Sequence, residues 1–316
     1  MQRWIRQFPL LSFFVLAFGI TWGFQVPAIV LAQQQGLTLS NEMNLQHFLS
    51  LFSPTGQVDS LLPYLLFTLG AGPLVASLCV TWAIGGTPAL RDLLKRTLAW
   101  KVAGRWYLVV LLLPLLMAGV SLLLGVLFAG VEPSAMKPRL SWTLFLPFLL
   151  YMVVFTGVVE EVGWRGFALP QLQRTMNAEK ASWILGILWG VWHFPFILYY
   201  NREMAPGMVL GVLVSLVLSI VGWTIVNTWV YNNTRSVLLL VLLHGWGNTV
   251  QSYLVLSTEN MLAQTAYSLV PWVVAVVLLR KFGAEHLSAA PRPVLNDQGM
   301  QVEGPVTVPR AVGLKT

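Results

Sequence analysis

From Trp142 to Val159 the chain runs for eighteen residues without a charged side chain, and it then places Glu160 and Glu161 side by side, with Arg165 four residues on. An uncharged apolar run of this length is the mark of a segment that crosses the hydrocarbon of a bilayer, which is about 30 Å thick. Similar runs recur along the sequence, approximately over 8–32, 61–84, 106–130, 142–161, 181–200, 207–231, 236–256 and 261–280. None shows the two-residue alternation of a barrel strand, and lipid offers the backbone no hydrogen-bond partner. All of them are therefore expected to be helices. The fold class that follows is all-α: a polytopic membrane helix bundle with about eight transmembrane helices.

Composition agrees. Hydrophobic residues make up 56% of the chain and charged residues 10%, whereas a soluble domain carries about a quarter charged. The length suits one membrane domain, taken as residues 1–283, with a core at 142–256 that carries the polar motifs. Residues 284–316, rich in Pro and Gly and without periodicity, read as a disordered cytoplasmic tail. The stretch 33–60 reads as an external loop with one short amphipathic helix. A single cysteine, Cys79, rules out an intrachain disulfide.

Lys and Arg lie in short clusters between apolar runs, which excludes a nucleic-acid footprint and points to membrane topology. With a cytoplasmic N-terminus, Arg3, Arg6, Arg91, Lys95, Arg96, Lys101, Arg105, Arg165, Arg174, Lys180, Arg235, Arg280, Lys281, Arg292, Arg310 and Lys315 are all expected to face the cytoplasm. Lys137, Arg139 and Arg202 fall on the other side. Both termini are then cytoplasmic in a multi-pass protein of the cell membrane. The first apolar run is longer than the 7–15 or so residues of a signal peptide and is read as an uncleaved helix.

Polar residues inside the spans are costly, by about 2.5–3.5 kcal/mol for a charge on insertion scales, and so they are few and functional. The set is Glu160 and Glu161 on the fourth run, His193 on the fifth, and His244 and Asn248 on the seventh. Adjacent helical residues point about 100° apart, so the two glutamates cannot share one direction. Glu161 and Arg165 have the i,i+4 spacing of a helical ion pair, with the acid N-terminal, which leaves Glu160 over. His244 and Asn248 share a face by the same spacing. Taken alone, each pair reads as a helix-end salt bridge or as interhelical glue. Taken together, three helices aim a carboxylate, two imidazoles and an amide at one cavity, expected to open on the cytoplasmic side.

That set suffices for peptide hydrolysis: a carboxylate and an imidazole to activate water, a second imidazole and an amide to donate to an oxyanion. The same Glu160, His193 and His244 could instead hold zinc and a metal-bound water. No His-Glu-x-x-His, no Gly-x-Ser-x-Gly and no intramembrane aspartate pair occurs.

The order Glu-Glu-x-x-x-Arg, then aromatic-x-x-x-His (Trp189, His193), then His-x-x-x-Asn resembles the CPBP family. These are the CAAX-protease and bacteriocin-processing (Abi) intramembrane endopeptidases. Trp189 stands where the family usually has Phe. The resemblance implies Glu160 and His193 as water activators and His244 with Asn248 as the oxyanion hole. It also implies a cytoplasm-facing cavity and leaves open whether a metal is needed; the His-Asn pair itself favours no strictly required cofactor, with zinc as the alternative, and Glu161, Arg165 and Trp189 are read as supporting residues. A peptide or protein substrate would enter from the membrane or the cytoplasmic side. The rival readings are a proton-coupled transporter, since intramembrane Glu and His also build proton relays, and a non-catalytic immunity or scaffold relative.

Overall fold

The computed structural model describes residues 2–52 and 61–303. A short helix, α1 (Gln2–Gln7), precedes the first crossing, α2 (Pro9–Gln34). The loop after it carries α3 (Asn41–Ser50), capped by the Ser40 hydroxyl, which accepts from the Met43 N–H at 3.1 Å. This is the short helix expected between the first two spans. Next come α4 (Leu62–Leu69), α5 (Gly72–Thr97) and α6 (Gly104–Ala129). The helical stretch α7 (Trp142–Leu172) is followed by the bent pair α8 (Ala178–Trp192) and α9 (Phe194–Tyr200). The bundle closes with α10 (Pro206–Thr234), α11 (Val237–Val250) and α12 (Met261–His286).

Among the described residues, six helical stretches are long and apolar enough to span a bilayer, and the α8–α9 pair, bent by 47°, makes a seventh. The eighth expected crossing is α11, which continues through a widened π turn to Val255. Its shortfall has a chemical cause: His244, Asn248 and Gln251 occupy positions that apolar residues fill in the other spans. Large apolar side chains such as Leu116, Leu127 and Phe128 are exposed on the outer faces, as expected where the solvent is lipid.

Two features differ from expectation. The second crossing does not stop near residue 84. Gly86, at φ 61°, breaks α5, and the helix resumes to Thr97, where Leu93 and Arg96 are buried. The larger correction concerns the tail. Residues 284–303 are ordered: α12 runs to His286, and Pro293–Leu295 (β1) pairs antiparallel with Gln301–Glu303 (β2). Composition misled because the hairpin has little core of its own and borrows the bundle's.

Val294 and Leu295 are buried, and the Gln173 amide donates to the Pro293 carbonyl at 3.0 Å. Arg292 Nε in turn donates to the Gln173 carbonyl at 3.1 Å, and Arg174 pairs with Asp297. Tyr231 donates to Gln301 Oε1 at 2.8 Å, and Gln301 N–H to Asp92 at 3.2 Å. Asp92 also holds Arg96, whose guanidinium donates to the Gly166 carbonyl at 2.6 Å. The hairpin thus straps the end of α7 to α5 and α10. Residues 304–316, the rest of the expected tail, lie outside the described residues.

Breaking the strap should be measurable. Leu295→Asp puts a carboxylate into an apolar seat and should lower stability by about 2–4 kcal/mol. Limited proteolysis should then cut within residues 287–303 before the transmembrane helices lose structure in a detergent melt. An uncut hairpin in that variant would show that the strap does not depend on this contact.

Candidate active site

The functional side chains sit where α7, α8 and α11 meet. Helices α7 and α11 touch backbone to backbone because glycine stands at the contact. A Cβ on Gly157 would lie 2.5 Å from the Val241 carbonyl oxygen, and one on Gly245 would lie 2.6 Å from Val153 Cα. Only a residue without a side chain permits this approach, which lays Glu160 and Glu161 alongside His244. The Val-Glu-Glu-Val-Gly turn is α-helical but lies between two π turns, Val153–Val158 and Trp164–Ala168. Each π turn adds a residue to a helical turn and so re-aims the side chains around it, which is why such bulges gather at functional sites.

Glu161 is fully buried and accepts from both sides. Arg165 Nη1 lies 2.9 and 3.0 Å from its two oxygens, and His244 Nδ1 lies 2.9 Å from Oε1. The expected Glu161–Arg165 pair is therefore present, but it is part of a triad that includes His244. Arg165, also fully buried, lays its guanidinium over the Trp189 ring at 4.3 Å and reaches Thr224 Oγ1 at 3.4 Å.

Glu160 points elsewhere. Its Oε2 accepts the Trp189 indole N–H at 2.6 Å, and its Oε1 lies 4.0 Å from His244 Nε2. The indole of Trp189 thus supplies a hydrogen bond that a plain aromatic ring would lack. His193 ends α8 with Nδ1 2.8 Å from the Trp189 carbonyl oxygen. A carbonyl can only accept, so Nδ1 carries the proton and Nε2 is left as an acceptor. Asn248 Nδ2 donates to Thr156 Oγ1 at 3.3 Å, and Thr156 donates to the Met152 carbonyl at 2.6 Å.

Glu160, Trp189, His193, His244 and Asn248 all line one cavity of about 850 Å³, with Thr156 among them. All the sequence-chosen candidates therefore gather at one place. Sequence reading missed Thr156, the indole bond and the Glu161–His244 bond. A threonine four residues before Glu160 in an otherwise apolar run was the available signal for the first. The other two join different helices and leave no local trace.

The cavity does not open where expected. Its lining runs to Asn41 beside α3, Met204 in the turn before α10, and Met261 at the start of α12. All three lie at the end of the bundle opposite the strap and the N-terminal helix, where the chain is poor in Lys and Arg. The expectation of an opening on the side of the termini is corrected: α7 enters from the far end and carries Glu160 deep, and the helix ends on the strap side are closed by the hairpin, Arg96 and Tyr231. The remaining histidines are remote. His47 stacks on Tyr64 at 3.9 Å on α3, where burial lowers its pKa, and His286 ends α12.

Glu160, His193 and His244 do not close into a metal-binding set in this geometry. Among the described residues no three His, Cys, Asp or Glu side chains are placed to hold an ion.

Comparison with known proteins bears on this region. The model of the Type II CAAX prenyl endopeptidase Rce1-like family matches residues 142–250. This region is therefore similar to the CPBP family. A curated CAAX prenyl protease 2 from Methanococcus maripaludis is 30% identical over 156 residues. The match covers 46% of this chain and 55% of that protein, so the chain spans about half the length of the curated relative. The family-matched residues 142–250 contain all five cavity-lining candidates, from Glu160 to Asn248. The similarity to CAAX prenyl endopeptidases is thus confined to the part of this integral membrane protein that carries the cavity.

Proposed function

We propose that this protein is an intramembrane endopeptidase that hydrolyses a peptide bond of a membrane-associated peptide or protein, using Glu160 and His193 to activate water. The observation that carries the reading is the convergence of Glu160, His193, His244 and Asn248 on one cavity. Glu160 takes a proton from water, and the water oxygen attacks the peptide carbonyl carbon as the C=O pair moves onto oxygen. His193 Nε2 accepts the other water hydrogen and orients the nucleophile. His244 Nε2 and Asn248 Nδ2 donate to the developing oxyanion, each donor contributing about 3–4 kcal/mol in a water-poor site. Collapse breaks the C–N bond, and the proton held by Glu160 passes to the leaving nitrogen.

The charges support this order. Glu160, Glu161 and Arg165 together leave one negative charge in an apolar surrounding, and unpaired buried charge is expensive. A doubly protonated His244 between the two carboxylates neutralises the set. When Glu160 takes the proton, the negative charge moves to the oxyanion beside His244, so the site is neutral at every step. Substrate reaches the site from the bundle end where the cavity opens, past Met204 and Met261.

Glu160→Gln keeps shape and removes the base. Cleavage should fall by about 10²–10⁴-fold with the melting temperature little changed. The assay is comparative mass spectrometry of membrane and secreted peptides from cells with either form, followed by cleavage of the peptide so found. An active Glu160→Gln protein would overturn the reading.

Zinc is not assigned a part, because Asn248 belongs to the set and an amide is a poor zinc ligand. Cleavage by chelator-stripped protein should equal that of untreated protein. Activity lost on stripping and regained on zinc addition would decide for a metallopeptidase.

Orientation is the third test. With the basic end cytoplasmic, the cavity mouth faces outward. In a Cys79→Ala background, Ala205→Cys should react with an impermeant thiol reagent on intact cells and Gln298→Cys only after lysis. The reverse pattern would invert the protein and turn the cavity to the cytoplasm.

A further inference from the structure

Glu161 has more to do than neutralise Arg165. Its Oε1 lies 2.9 Å from His244 Nδ1, on a different helix, and both groups are buried. An ionised carboxylate has no hydrogen to give, so the proton in that bond belongs to the imidazole. This commits Nδ1 and leaves Nε2 as the one ring nitrogen turned to the cavity, 4.0 Å from Glu160 Oε1. Arg165 holds the other side of the same carboxylate at 2.9 and 3.0 Å, so the carboxylate cannot swing away. The guanidinium is itself fixed by the Trp189 ring at 4.3 Å and by Thr224. The arrangement has the logic of a carboxylate that orients a working imidazole from behind, with an arginine as the backstop.

We propose that Glu161 is a positioning residue that fixes the protonation pattern and direction of the His244 ring, with Arg165 locking Glu161 in place. This rests on the hydrolytic reading for its consequence in turnover and on geometry alone for its consequence in the ring. It assigns the two adjacent glutamates successive duties in one reaction: Glu160 handles the water proton, and Glu161 sets the imidazole that meets the oxyanion.

The test separates ring control from stability. Glu161→Gln leaves Arg165 buried without a counter-charge and can unfold the protein, so the double variant Glu161→Gln/Arg165→Gln is made beside it and beside Arg165→Gln. A detergent melt should show the double variant more stable than Glu161→Gln alone. Its kcat should nevertheless stay about 10²–10⁴-fold below wild type, with KM little altered. Arg165→Gln should lose stability but less of kcat than the double variant, because Glu161 still faces His244.

The second readout needs no substrate: ¹⁵N NMR of histidine-labelled full-length protein, with the His244 signal assigned by its loss in His244→Gln. Wild type should show a protonated Nδ1, and the double variant a changed or mixed pattern. A double variant that regains kcat with its stability, or an unchanged His244 signal, would overturn the proposal. Should wild type cleave no peptide while the signal changes as described, the hydrolytic reading fails and the positioning role stands.

Discussion

A fully buried carboxylate that holds an arginine on its own helix and a histidine on another is the constraint around which the site is organised. Glu161 and Arg165 are both fully buried, where each charge alone would be costly. The pair therefore needs the geometry it has, and that geometry sets the rest. The close approach of α7 and α11 at Gly157 and Gly245 brings His244 within 2.9 Å of Glu161. The Trp189 ring, stacked on the Arg165 guanidinium, delivers its indole N–H to Glu160. Loss of one partner of such a buried pair typically costs about 3–5 kcal/mol, far above what an exposed helical pair contributes.

The same logic extends to the basic end of the bundle. Widening the helix into a π turn at Trp164–Ala168 re-aims backbone groups that a regular helix would pair, and Arg96 reaches the Gly166 carbonyl at 2.6 Å. Arg96 is in turn held by Asp92 and Tyr231, and both of these meet Gln301 of the hairpin. A continuous series of polar contacts thus leads from the C-terminal hairpin to the residue next to Arg165. It explains how a segment with few apolar residues is kept in one conformation, since the bundle satisfies its backbone and covers Val294 and Leu295. It also explains why the cavity reaches the opposite end: the hairpin, Arg96 and Tyr231 fill the space near the basic helix ends.

Much of this was legible beforehand. Uncharged runs of about twenty residues can be nothing but spans, because a bilayer leaves the backbone no other partner. The i,i+4 spacing of Glu161 and Arg165 and of His244 and Asn248 follows from helix geometry, and burial cost alone marks Glu160, His193, His244 and Asn248 as the residues to watch. The matched family region over 142–250 contains every one of them.

Other features lay beyond the reach of pattern. The different partners of the two glutamates follow from which side chains the neighbouring helices bring near, and no spacing along α7 encodes the approach of His244 eighty-three positions away. The tryptophan at 189 reads in sequence as an aromatic wall, yet its one polar atom meets Glu160. The tail reads as disordered because composition counts only what a segment can bury by itself, and Leu295 is buried by other helices. The sequence by itself determined the bundle, most of its spans and which polar side chains stand inside them, since these depend on local periodicity and on the cost of placing charge in lipid. The tertiary structure decided which carboxylate meets which imidazole, where the cavity opens and what becomes of the tail, since those depend on contacts between segments far apart in the chain.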